Sequence, residues 1–154
     1  MKNTFYYETL IGKITISDNQ SHITDLHFGE IHLKDSNIRE TKLIKEAYNQ
    51  LKEYFNKERR KFELPLAPQG TEFQLKVWNA LQEIPYGETC SYKQIAVKVG
   101  NEKACRAVGM ANNRNPISIF IPCHRVIGAN GNLIGYGGGL DIKEKLLNLE
   151  KENY

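Results

Sequence analysis

Seven residues near the middle, Leu64-Pro65-Leu66-Ala67-Pro68-Gln69-Gly70, constrain this chain more than any other feature. Proline has a fixed φ and no amide hydrogen, so neither a helix nor a central strand runs through two of them in close succession. A chain of 154 residues divided there builds two small cores rather than one. The expected layout is a first domain over 1–66, a linker over 67–70 and a second domain over 71–154.

Phe5 to Leu10, Lys13 to Ser17 and His22 to Phe28 alternate in part and are separated by Gly12 and by Asp18-Asn19-Gln20-Ser21. They read as short strands. From about Ile38 to Asn56, Leu43, Ala47, Leu51 and Phe55 recur every four residues, the mark of an amphipathic helix able to cover one sheet face. His22, His27 and His32 recur every five residues, which suits neither a strand face nor a helix face, and no cysteine lies nearby. No metal is expected.

In the second part, Thr71 is a good N-cap for a helix carrying Phe73, Val77, Trp78 and Leu81. After the Ile84-Pro85-Tyr86-Gly87-Glu88 turn come two short helices, Tyr92 to Val99 and Glu102 to about Asn112, broken by Gly100-Asn101. That is the outline of a helix-turn-helix, which many helical bundles share. Pro116 to Ile121, apolar and β-branched, reads as a strand. A glycine-rich loop from Gly128 to Gly139 and a final helix from about Asp141 follow.

Charge narrows the partners. Net charge is only +3, yet between Thr89 and Leu140 six basic residues face a single acid, Glu102. Such a local excess suits a polyanion, though a solvated basic face has the same composition. No run of about 18 apolar residues exists to span a membrane, and Met1 to Glu8 lacks the apolar stretch of a secretion signal, so a cytoplasmic location is expected. Cys90, Cys105 and Cys123 match no paired zinc-ligand spacing, and an odd count argues against a disulfide framework. Cys90 and Cys105 read as small buried hydrophobes.

Cys123 is different. Pro122 pushes Ile121 toward extended backbone, which holds Cys123 at a defined exit from the expected strand. A cysteine attacks as its thiolate and needs a base or a positive charge nearby. His124 and Arg125 offer both in sequence. Neighbouring side chains point apart, so a relay from Cys123 to His124 runs through a water.

Around this site, Asn115-Pro116 and Ile121-Pro122-Cys123-His124-Arg125-Val126-Ile127 resemble the signature of the O6-alkylguanine-DNA alkyltransferases. The likeness extends to Phe73-Gln74, Val77-Trp78, Ile84-Pro85-Tyr86-Gly87-Glu88, Ser91-Tyr92, Arg106-Ala107-Val108-Gly109, Tyr136-Gly137-Gly138-Gly139 and Glu150. It implies an α/β chain: a small ribonuclease-H-like sheet-plus-helix domain, then a helical domain of winged-helix or helix-turn-helix type. It also implies DNA repair by irreversible, single-turnover transfer of a methyl or other alkyl group from O6-alkylguanine to the Cys123 thiol, with O4-alkylthymine a further candidate substrate.

The resemblance assigns roles by position. Cys123 is the acceptor, His124 the base acting through water, Glu150 the carboxylate that orients it, and Asn115 a bridge from the recognition helix. Tyr92 helps rotate the nucleotide outward and bonds the extruded base, while Arg106 fills the vacated stack. Ala104 and Gly109 let the helix approach the minor groove, and Arg125 adds a DNA contact. Asn112, Val126, Tyr136, Gly137 and Gly138 line the base pocket. A base must leave the duplex before a thiol can reach its substituent in line. Double-stranded DNA is the implied partner, a monomer the expected state, and no cofactor is called for. Competing readings are a lesion-binding module, which would lack the acceptor cysteine; a thiol hydrolase, which would need an oxyanion hole; and a helix-turn-helix regulator with a passive Cys123.

Overall fold

The computed structural model describes residues 1–131, 136 and 138–153. Two compact units divide the chain, Met1–Gln69 and Gly70–Tyr154.

In the first unit, strands β1 (Lys2–Thr9), β2 (Gly12–Asp18) and β3 (Ile23–Phe28) form an antiparallel meander, and β4 (Ser36–Ile38) joins β1 in parallel. The sheet order is β3-β2-β1-β4. The tight β1–β2 connection relies on Gly12, at a φ of 100° that side-chain-bearing residues rarely adopt. Ile14, Ile16, Ile23 and Leu26 of the sheet are buried, as are Ile44, Ala47, Leu51, Tyr54 and Phe55 of helix α1 (Lys42–Phe55).

Two expectations change here. The helix does not begin near Ile38, because Ser36-Asn37-Ile38 extends the sheet. Thr41 sets its start: the side chain accepts from the Ile44 amide and donates to the buried Asp18 carboxylate at 2.5 Å. Nor does the expected 67–70 linker begin free of the first unit, because the segment from Pro65 to Ala67 runs beside β3. The Ile23 amide donates to the Pro65 carbonyl at 2.8 Å, and the Ala67 amide donates to the Ile23 carbonyl at 2.9 Å. An edge strand tolerates proline, so the segment adds to the sheet.

The second unit contains α2 (Glu72–Leu81), α3 (Tyr92–Lys98), α4 (Cys105–Asn113) and α5 (Leu140–Glu152), with a two-stranded parallel pairing of β5 (Cys90–Ser91) and β6 (Val126–Ile127). Thr71 with Gln74 and Ser91 with Gln94 make reciprocal capping boxes that start α2 and α3. Trp78, 1% exposed, donates its indole N–H to the Ala111 carbonyl at 2.8 Å and so pins α2 to α4. Among the described residues, no helix is long and apolar enough to cross a membrane.

The stretch before Cys123 is not a strand. Ile119 has a φ of 72°, a left-handed conformation that costs a β-branched residue roughly 1–3 kcal/mol. It reverses the chain, so the Ile121 amide reaches back to the Ile117 carbonyl at 3.0 Å. Cys123, His124 and Arg125 then form one 3-10 turn.

Candidate active site

The 3-10 turn fixes what each of its three side chains can meet. Cys123 is 3% exposed, and Cys90 and Cys105, expected to be buried, are instead partly exposed. Burial pushes the Cys123 thiol above its usual value. Hydrogen bonding from Asn115, Tyr136 and Ser118 and the charge of Lys143 pull it back only in part. At rest the sulfur is therefore a thiol, and it must lose its proton before it can act as a nucleophile.

His124 is fully buried. Its Nε2–H donates to Glu150 Oε2 at 2.6 Å, and the opposite ring nitrogen, Nδ1, has no hydrogen-bond partner among the described residues. Burial would by itself raise the Glu150 carboxyl, but His124 and Arg125 hold it well below the ordinary carboxylate range. Glu150 is thus an acceptor only, which places the imidazole proton on Nε2 and leaves Nδ1 as a lone pair. Burial, joined by the charges of Arg125 and Lys143, lowers the His124 pKa despite the opposing pull of Glu150. The ring is neutral and able to take a proton.

Arg125 departs from the expectation of a DNA contact. It is 7% exposed and grips Glu150 at both oxygens, Nε to Oε1 at 2.8 Å and Nη2 to Oε2 at 3.0 Å. A third bond runs from Nη1 to the Ile84 carbonyl at 2.7 Å, and the guanidinium lies over the Tyr86 ring. The Gly87 amide also donates to Glu150 Oε1, at 3.1 Å. A guanidinium matches a carboxylate in this two-point geometry, and burying both leaves neither for a ligand.

Asn115 follows α4 and ties that helix to the segment leading into Cys123: its Nδ2 donates to the Ile121 carbonyl at 2.8 Å, and its Oδ1 accepts from the Ile117 amide at 3.0 Å. Asn112, 1% exposed on α4, donates to the Cys123 carbonyl at 3.3 Å. Val126 is fully buried in β6. Tyr136 is held by a turn in which the Gly139 amide donates to its carbonyl at 3.0 Å, and Gly138 lies within that turn. Gly137, also assigned to the pocket, lies outside the described residues.

Tyr92 opens α3, half-buried; burial raises its phenol pKa, and charge on the nearby Cys123 sulfur raises it further. Its ring rests over Gly109, where an added methyl would make ordinary contact at 3.8 Å. Arg106 and Ala107 are exposed on α4, whereas Val108, Ala111 and Asn112 face inward and Ala104 precedes the helix half-buried. Arg106 therefore stands on the outer face of a helix whose inner face touches the Cys123 turn.

Lys143 and Ser118 escaped notice as site residues. The signal for Lys143 was present: Lys143, Leu146 and Glu150 share one face of α5, and all three are buried. Two charges on the apolar stripe of a helix are costly unless used. No three metal-binding side chains converge among the described residues.

Comparison with known proteins matches residues 72–152 to the 6-O-methylguanine DNA methyltransferase DNA-binding domain and residues 3–68 to the ribonuclease-like domain of the same family. A methylated-DNA–protein-cysteine methyltransferase of Methanosarcina acetivorans is 53% identical over 148 residues, covering 94% of this chain and 95% of its own. A constitutive one of Bacillus subtilis is 47% identical over 155 residues, covering 96% and 94%. Among solved structures, Mycobacterium tuberculosis OGT in complex with DNA superimposes with a TM-score of 0.93 at 43% identity, covering 98% of this chain and 94% of that one.

Proposed function

This chain belongs to the 6-O-methylguanine DNA methyltransferase family, and from that premise we propose that Cys123 is the thiol that accepts the alkyl group of O6-alkylguanine. The protein repairs DNA by alkyl transfer to a cysteine of its own, the activity of a methylated-DNA–protein-cysteine methyltransferase.

One observation carries the choice of residue. Cys123 alone of the three cysteines adjoins a neutral imidazole whose far nitrogen is locked onto an ionised carboxylate. In this reading, Nδ1 of His124 takes the thiol proton through an intervening water, and Glu150 stabilises the imidazolium that forms. Sγ attacks the alkyl carbon as the bond to O6 breaks, and the electron pair departs with the guanine. The Tyr92 phenol, its pKa raised, stays protonated and can donate to the extruded base. The resulting thioether has no group that water readily displaces, so each molecule acts once.

Duplex DNA lies against the outer face of α4 in its minor groove, with Arg106 filling the space of the rotated nucleotide. The protein works as a monomer. Incubation with a duplex carrying O6-methylguanine should add one methyl mass to Cys123 with one equivalent consumed, and Cys123→Ala should bind the duplex and gain nothing. A methyl found on Cys90 or Cys105 instead would reject the assignment.

A further inference from the structure

Oδ1 of Asn112 is buried and has no hydrogen-bond partner among the described residues. Its orientation is not arbitrary, because turning the amide over would set that oxygen against the Cys123 carbonyl to which Nδ2 now donates. A buried acceptor without a donor is costly, and native interiors keep few of them. The neighbours on this face of α4 are Val108 and Ala111, both buried and apolar, so an apolar side chain could occupy position 112 without that penalty. Asn112 also touches the backbone of the acceptor residue itself. The position therefore combines an unmet acceptor with direct contact to Cys123.

We infer that Asn112 Oδ1 accepts a hydrogen bond from the exocyclic amino group of the base that Cys123 dealkylates, and so selects 2-aminopurines over bases with no donor on that edge. This rests on Cys123 being the acceptor for O6-alkylguanine. O-alkylation strips the proton from N1 of guanine, which leaves the 2-amino group as the one donor on the edge that also carries the 6-alkoxy group. A base aligned with its alkoxy carbon on Sγ lays this edge along the Cys123 backbone, where Asn112 is anchored. O6-methylhypoxanthine carries only C–H at that place. O4-methylthymine presents an unprotonated N3 and the O2 carbonyl, which bring a second acceptor against Oδ1. A site built around a hydrogen bond rejects the analogue that cannot make it, because its own polar atom then stays unpaired.

The test compares three duplexes identical except for the lesion, with single-turnover methyl transfer to Cys123 read by mass. For the unmodified protein, O6-methylhypoxanthine should react roughly 10- to 100-fold more slowly than O6-methylguanine, and O4-methylthymine more slowly still. Asn112→Met removes the acceptor but keeps an unbranched helix-compatible side chain. It should slow O6-methylguanine far more than the hypoxanthine analogue, so that the two purines come to react at about the same rate. Equal rates on the two purines in the unmodified protein would overturn the inference, whatever the variant does. So would an equal slowing of all three substrates by Asn112→Met, which would mean that the side chain serves only to hold the Cys123 carbonyl. If no duplex methylates Cys123, the reading of the acceptor itself fails and takes this inference with it.

Discussion

His124 Nε2 and Glu150 Oε2 stand 2.6 Å apart, 26 residues distant in sequence, with side chains 0% and 1% exposed. This contact decides which imidazole nitrogen is free to act as a base. Glu150→Gln removes the anion that stabilises the imidazolium, and single-turnover transfer should fall by roughly 10²- to 10⁴-fold. The same change leaves the Arg125 charge buried without its partner, so thermal or denaturant unfolding should register a loss of about 3–5 kcal/mol. Unchanged transfer in a folded variant would remove Glu150 from the mechanism.

Arg125→Ala is expected to act on stability rather than on DNA. It strands the Glu150 carboxylate in the interior, at a cost of about 3–5 kcal/mol in unfolding experiments. Duplex affinity of the folded protein, and its dependence on salt, should match the parent. A salt slope smaller by about one would instead restore Arg125 to the phosphate-binding surface.

The transfer rate should be insensitive to mild acid. The His124 pKa lies below its ordinary value, so the ring stays neutral as pH falls through about 6.5 and gains a proton only lower. The acid limb of the single-turnover profile should therefore lie below pH 6.5, and a limb above it contradicts the buried, neutral base. Lys143→Met takes a positive charge from beside the sulfur and should push the thiol further up. Iodoacetamide labelling of Cys123 near pH 8 is expected to slow several-fold, with the labelling curve displaced to higher pH.

Arg106→Ala should weaken capture of O6-methylguanine in duplex DNA while transfer from the free base is nearly preserved. Losing one cation at the DNA surface should also lower the salt slope of binding by about one. Equal losses on duplex and free base would argue against a stack-filling role.

Much of this site was legible locally. Cys123 beside His124 after Pro122, the capped starts of α2 and α3, and the four-residue period of α1 rest on neighbours in sequence, where residue type and spacing act directly. Ser36-Asn37-Ile38 was missed because a three-residue strand has almost no period to read, and it exists only because β1 offers an edge. Ile119 defeated the strand reading between Pro116 and Ile121. Its left-handed φ comes from closure onto Ile117, not from any preference of isoleucine.

The sequence alone determined that a two-unit chain carries a proline-held cysteine next to a potential base, because both facts depend on adjacent residues. Tertiary structure decided what the charges do. Nothing in the linear chain says what Arg125, Lys143 and Glu150 will touch, and folding buries all three around one turn. There, low polarizability and fixed distance set the partners of all three and the protonation of Lys143 and Glu150. That selection of tautomer, charge and unmet acceptor belongs to long-range packing, which no local pattern encodes.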